Sequence, residues 1–136
     1  MNDGKAYAVG ACGMSLATVL IVDDSPTELR VMEKALRDRG YTTTTAEDGE
    51  QALEKAGKER PRVIVLDVIL PKKNGFQVCR DLKASAETRD IPVIMVTSKV
   101  QDSDRFWGLK QGADEYITKP FSDEALAEAV AKHFPR

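Results

Sequence analysis

Three short runs of apolar residues constrain this chain more than any other feature. They are Val19-Leu20-Ile21-Val22, Val63-Ile64-Val65-Leu66 and Val93-Ile94-Met95-Val96. Each is continuous rather than alternating, and each is rich in β-branched side chains. Runs of this kind suit strands buried on both faces, as in a parallel sheet covered by helices. Tyr41 to Ala46 holds four consecutive threonines, so it has high β propensity with little apolar content. It is expected to be an edge strand. Tyr116-Ile117-Thr118 supplies a fifth, short strand.

Helix signals fall between these strands. Ser25-Pro26-Thr27-Glu28 offers a serine N-cap, proline at the first helical position and glutamate at the capping-box position. Leu29, Met32 and Leu36 then recur on one face, and Gly40 stops the helix. Asp48 caps a second helix with Ala52, Leu53 and Ala56 inward. Phe76, Cys79 and Leu82 stripe a third. Phe106 and Leu109 are expected to form the buried stripe of a fourth, ended by Gly112. Ser122 caps a fifth, with Leu126, Ala129 and Val130 inward. Strictly alternating strands and helices with short connections imply an α/β fold. It is doubly wound, with right-handed crossovers and helices on both faces of a five-stranded parallel sheet.

Composition removes several function classes. At 136 residues, 42% hydrophobic and 31% charged, the chain reads as one globular domain. Twenty basic against twenty-two acidic residues leave a net charge of −2, with no basic stripe for nucleic acid. No apolar run approaches the roughly 20 residues of a membrane helix. Two cysteines and one histidine cannot build a Cys/His zinc cage or a disulfide framework. Cys79 reads as a small core residue, and His133 as a cation at the end of the last helix. A cytoplasmic setting is therefore expected. Residues 1–17 show no clear period and are expected to be a mobile leader, Cys12 included, with the folded domain spanning 18–136.

In an open parallel sheet, ligands bind beyond the carboxyl ends of the strands. Asp23 and Asp24 follow the first apolar run, Asp67 the third strand, Thr97 and Ser98 the fourth, and Lys119-Pro120 the fifth. The fold brings all of them to one edge. Carboxylates gathered within about 5 Å repel by on the order of 3 kcal/mol per pair at an effective dielectric near 20. Ionised together they need a cation, and hard oxygen ligands suit Mg²⁺. A metal on one side and Lys119 on the other meet the electrostatic demand of phosphoryl transfer. Asp67, on the central strand, is the candidate nucleophile, with Asp23 and Asp24 holding the metal and Thr97 supplying a hydroxyl donor. A lone Asp-Asp pair or a lone lysine is usually a turn or surface residue. The joint pattern over four strand ends is not.

At this point the residues resemble a known family, the response-regulator receiver domains of two-component signalling. The resemblance covers Thr18 to about Phe134. It rests on Leu20-Ile21-Val22-Asp23-Asp24-Ser25, Asp67 through Gly75, Val96-Thr97-Ser98, Gly112-Ala113-Asp114-Glu115-Tyr116 and Lys119-Pro120-Phe121. It implies a flavodoxin-like (βα)₅ fold with strand order 2-1-3-4-5. It implies that Asp67 accepts a phosphoryl group from a histidine kinase or a small phosphodonor. It further implies that Asp24 ligates Mg²⁺ directly, Asp23 mostly through water, and that the backbone carbonyl of Ile69 completes the protein ligands. Lys119 would contact the phosphoryl oxygens across a cis Lys119–Pro120 bond. Thr97 and Tyr116 would form a switch pair, the ring turning inward as the hydroxyl moves to the phosphate. The resemblance also implies that Ile69 and Lys99 occupy the places that tune hydrolysis of the acyl phosphate.

The chain ends just after the fifth helix, so the output is expected to be a protein–protein contact with a downstream target. The face made by the fourth helix, fifth strand and fifth helix is expected to carry it, through Arg105, Trp107, Lys110 and Tyr116. Tryptophan is enriched at binding hot spots. The stretch Phe106 to Ala113 also resembles stand-alone receivers of chemotaxis-like systems that control twitching motility. A monomer or weak dimer is expected. Two rivals remain. A haloacid-dehalogenase-type phosphatase needs a second aspartate two places after the nucleophile, where this chain has Ile69. A pseudo-receiver, a binding module of the same fold, usually lacks one of the acidic or lysine positions. No G-x-G-x-x-G or G-x-x-x-x-G-K stretch supports nucleotide binding.

Overall fold

The central strands are buried along their whole length, as their continuous apolar runs require. The computed structural model describes residues 18–98 and 101–134, so the proposed leader, Cys12 and Lys99 lie outside the described residues. The strands are β1 (Thr18–Val22), β2 (Thr42–Ala46), β3 (Val63–Leu66), β4 (Val93–Thr97) and β5 (Glu115–Thr118). The helices between and after them are α1 (Pro26–Arg37), α2 (Gly49–Glu59), α3 (Gly75–Ala84), α4 (Asp102–Lys110) and α5 (Asp123–His133). All strand pairs are parallel, in the order β2-β1-β3-β4-β5.

Period-two alternation divides each buried strand between two cores. Leu20, Val22, Ile64, Leu66 and Met95 face α2 and α3, where they meet Ala52, Ala56, Val78, Cys79 and Leu82. Val19, Ile21, Val63, Val65, Ile94 and Val96 face α1 and α5, against Leu29, Met32, Leu36, Leu126 and Val130. β2 is the expected edge. Its Thr43 hydroxyl donates to Glu33 Oε2 at 2.9 Å and accepts from Arg37 Nε at 2.8 Å, so α1 satisfies the polar edge. Ser25, Asp48 and Ser122 cap their helices as expected, each side chain accepting a backbone N–H three residues on.

Helix α4 departs from expectation. Phe106 and Leu109 do not form a buried stripe, since Phe106 is 59% and Leu109 45% exposed, and Gly108 is the buried residue of α4. The reason is the close seat of the helix. A Cβ at Gly108 would lie 2.8 Å from Tyr116 Cδ2 and 2.9 Å from Met95 Sδ. The inward direction is therefore taken by the residue with no side chain. Phe106, about 200° around the helix from it, points away.

Two glycines give a paired prediction. Gly75, donating its N–H to Val68 O at 2.8 Å, sits so close to the chain after β3 that a Cβ would come within 2.3 Å of Asp67 O. Gly57 in α2 has open space. Gly75→Ala is expected to lower stability by about 1–3 kcal/mol through overpacking against backbone. Gly57→Ala is expected to raise it by about 0.5–1 kcal/mol through helix propensity. Urea unfolding of the two variants beside the parent checks both signs.

Candidate functional site

Each functional side chain is placed by the register of the parallel ladder. Asp23 continues β1, its N–H donating to Ala46 O at 3.1 Å, and Asp67 continues β3, its N–H donating to Val22 O at 3.0 Å. Both carboxylates are buried, Asp23 to 1% exposure and Asp67 to 6%. Thr97 ends β4 and is fully buried, and its carbonyl accepts the N–H of Lys119 at 2.8 Å. Lys119 follows β5 and joins Pro120 through a cis peptide bond. Four strand ends thus deliver Asp23, Asp67, Thr97 and Lys119 to one edge.

Lys119 ties the site together. Its Nζ donates to Asp23 Oδ2 at 2.9 Å, to Asp67 Oδ2 at 3.1 Å and to Glu28 Oε1. The other oxygens of the two aspartates accept backbone N–H groups, Asp23 Oδ1 from Ser25 at 2.9 Å and Asp67 Oδ1 from Ile69 at 3.2 Å. Burial by itself pulls the Lys119 ammonium toward neutrality, but its hydrogen bonds to Glu28, Asp23 and Asp67 outweigh that and hold its pKa above the ordinary 10.5. A folded-state value raised above the unfolded one gives stability that is complete below about pH 10.5 and decays as pH rises through the folded value. Alkaline unfolding titrations should therefore show the parent losing more stability than Lys119→Met above that pH.

The expected residues differ in burial. Asp24 is exposed, and among the described residues the acidic group within mutual reach is Asp23, Glu28 and Asp67, with one oxygen from each lying within 4.8 Å of the others. Asp23 is the buried member of the pair, because the buried β1 ladder runs on into it. Glu28 was legible only as a capping-box residue. The reciprocal half of that box does not form, because Asp23 takes the Ser25 N–H and the Glu28 side chain turns to Lys119. Its signal was position alone, an acid in the first turn of the helix that leaves the first strand.

Ile69 is 54% exposed. Arg105, Trp107 and Lys110 are exposed, but Tyr116 is buried rather than part of the open face. Its ring lies beneath Arg105, whose guanidinium carbon is 5.2 Å from the ring centre, and against the helix backbone at Gly108. Arg105 also donates to Tyr116 O at 2.9 Å. His133 does more than sit on a helix end, since its Nε2 lies 2.7 Å from Glu115 Oε1 and so links α5 to β5.

One ammonium against three carboxylates leaves excess negative charge in a cleft of hard oxygen donors. That donor set fits a small divalent cation such as Mg²⁺. Asp67 presents a carboxylate beside a cation, as an acceptor of a phosphoryl group must.

Comparison with known proteins agrees with this geometry. The model of the family described as "Response regulator receiver domain" matches residues 19–131. Protein PilH of Pseudomonas aeruginosa is 44% identical over 115 residues, covering 85% of this chain and 95% of that protein. The chain spans about half the length of three further curated relatives, one a transcriptional regulatory protein and two described as probable transcriptional regulators. Among solved structures, the chemotaxis protein CheY4 of Vibrio cholerae superposes with a TM-score of 0.82 at 33% identity, covering 87% of this chain and 98% of that one. The receiver domain of a Pseudomonas aeruginosa sensor histidine kinase, solved with a magnesium ion coordinated in its active-site cleft, gives 0.80 at 32% identity, covering 86% and 96%. Among the described residues no helix is long and apolar enough to cross a membrane. With the strand order, the acidic cleft and the lysine on its cis peptide all in place, the chain belongs to the response-regulator receiver domain family, the phosphorylation-dependent switches of two-component and chemotaxis-like signalling.

Proposed function

We propose that Asp67 is the phosphoryl acceptor of this switch and that the chain's own residues promote the transfer. The donor is a phosphohistidine of a histidine kinase or a small phosphodonor. The donor's bond to phosphorus breaks, a bond from an Asp67 carboxylate oxygen to phosphorus forms, and the leaving imidazole or acetate departs with the electron pair. The observation that carries this reading is Lys119 Nζ, held at 2.9 Å from Asp23 and 3.1 Å from Asp67 by residues from three strand ends. There it can follow the phosphoryl oxygens as charge moves onto them.

Asp23 and Asp67 would hold Mg²⁺, with Asp24 and the carbonyl of Ile69 completing the set that the resemblance implies. The ion, when bound, neutralises charge on the phosphoryl oxygens. Thr97 and Tyr116 would read the new dianion. They sit on paired strands, partners in the β4–β5 ladder being Met95 with Tyr116 and Thr97 with Thr118. Output would pass to a downstream protein through the exposed Arg105, Trp107 and Lys110 beside the buried Tyr116. Incubation with acetyl phosphate and Mg²⁺ is expected to add one phosphoryl group by intact-mass spectrometry, and none in EDTA. A parent protein that gains no mass with saturating Mg²⁺ is a pseudo-receiver, and this reading then fails.

A further inference from the structure

Lys119 has three N–H donors and all three are engaged, by Asp23, Asp67 and Glu28. A phosphoryl group on Asp67 inherits the donor that Asp67 now accepts, but Lys119 can hold a second phosphoryl oxygen only if Asp23 or Glu28 gives one up. Asp23 is poorly placed to leave. Its side chain is 1% exposed and is also fixed by the Ser25 N–H, and releasing it would strand a buried charge. Glu28 differs on both counts. Its side chain is 49% exposed, and the cap of α1 does not need it, because Ser25 Oγ accepts the Glu28 N–H at 3.3 Å while Asp23 serves Ser25.

We propose that Glu28 is a positioning residue that gates phosphorylation: it holds the third donor of Lys119 in the resting protein and yields it to the incoming phosphoryl group. This rests on Asp67 being the acceptor. Glu28 acts in two ways, both electrostatic. It occupies the donor that a second phosphoryl oxygen would take, and it places a negative charge in the path of an anionic phosphodonor. On release its carboxylate goes to water, and the first turn of α1 loses its ion pair to the β5–α5 connection. The wall shared by Glu28, Val31, Lys119 and Phe121 therefore differs between the two states of the switch.

The test compares single-turnover phosphorylation of the parent, Glu28→Gln, Glu28→Ala and Glu28→Asp at saturating Mg²⁺. Acetyl phosphate serves as the more highly charged donor and phosphoramidate as the less charged one, each at low and high ionic strength. Gln and Ala are expected to raise the second-order rate constant with acetyl phosphate about tenfold at low salt. The gain should be smaller with phosphoramidate and should shrink in high salt. Asp keeps the charge and is expected to stay near the parent. Equal rates in the parent and in both uncharged variants overturn the proposal. So does a change that is the same for both donors and indifferent to salt, which marks mere loosening of α1. A fall in rate also overturns it, since Glu28 would then assist the transfer. In each of these cases a parent that still gains its phosphoryl group leaves the assignment of Asp67 standing. A parent that takes up none removes both.

Discussion

Asp67→Asn takes up no phosphoryl group from acetyl phosphate and Mg²⁺ under conditions that load the parent protein. This is the largest effect expected, because the substitution removes the nucleophile and little else. Asparagine has nearly the same shape, and its Oδ1 can still accept the Ile69 N–H that now reaches Asp67 at 3.2 Å. One carboxylate is lost from a group of three around one ammonium, so Lys119 keeps Asp23 and Glu28 as partners. The variant should therefore retain its secondary structure and unfold cooperatively. Intact-mass spectrometry reads the loss, and circular dichroism reads the retained fold. Mass gain in Asp67→Asn equal to that of the parent would place the acceptor elsewhere and sink the assignment.

Lys119→Met is expected to damage both transfer and stability, for one electrostatic reason. Without the ammonium, Asp23, Glu28 and Asp67 keep carboxylate oxygens within 4.8 Å of one another and have no cation between them. At an effective dielectric near 20 each such pair costs on the order of 3 kcal/mol. Glu28 can swing out to water, which relieves part of this, whereas Asp23 and Asp67 are buried. A loss of about 2–4 kcal/mol at neutral pH follows, at the lower end of what removing one partner of a buried ion pair costs. The phosphorylation rate should fall by about 10²–10³, the range for deleting one preorganised charge stabiliser. Thermal unfolding with and without Mg²⁺ gives a second readout. The divalent cation should restore more stability to the variant than to the parent, since it replaces a missing charge rather than competing with one present. Equal stability of variant and parent in EDTA would mean that the three carboxylates do not form a strained cluster.

Much of the fold was legible because a continuous apolar strand has few ways to be satisfied. Val19 to Val22 must be covered on both faces, and the structure covers it, with Leu20 and Val22 against one helical layer and Val19 and Ile21 against the other. The four threonines of β2 read as an edge for the converse reason. Much of the site was legible too, because the residues that follow parallel strands end at one rim. Helix α4 does not follow its apolar pattern. Its two apolar residues, Phe106 and Leu109, suggested an inward stripe, but the helix sits too close to Tyr116 and Met95 for a side chain to intervene. Hydrophobicity records a tendency to be buried, and only packing decides which helix face has room.

The alternation of strands and helices, the edge strand, the capping serines and the convergence of Asp23, Asp67, Thr97 and Lys119 were properties of the sequence by itself. They follow from local periodicity and from the handedness of parallel crossovers, which act over short stretches of chain. The tertiary structure alone decided that Asp23 is buried while Asp24 is exposed, that Tyr116 is covered by Arg105 and the α4 backbone, and that Glu28 joins Lys119 across 91 positions of sequence. Such pairings depend on distances between side chains from different elements. No pattern along a single element encodes them.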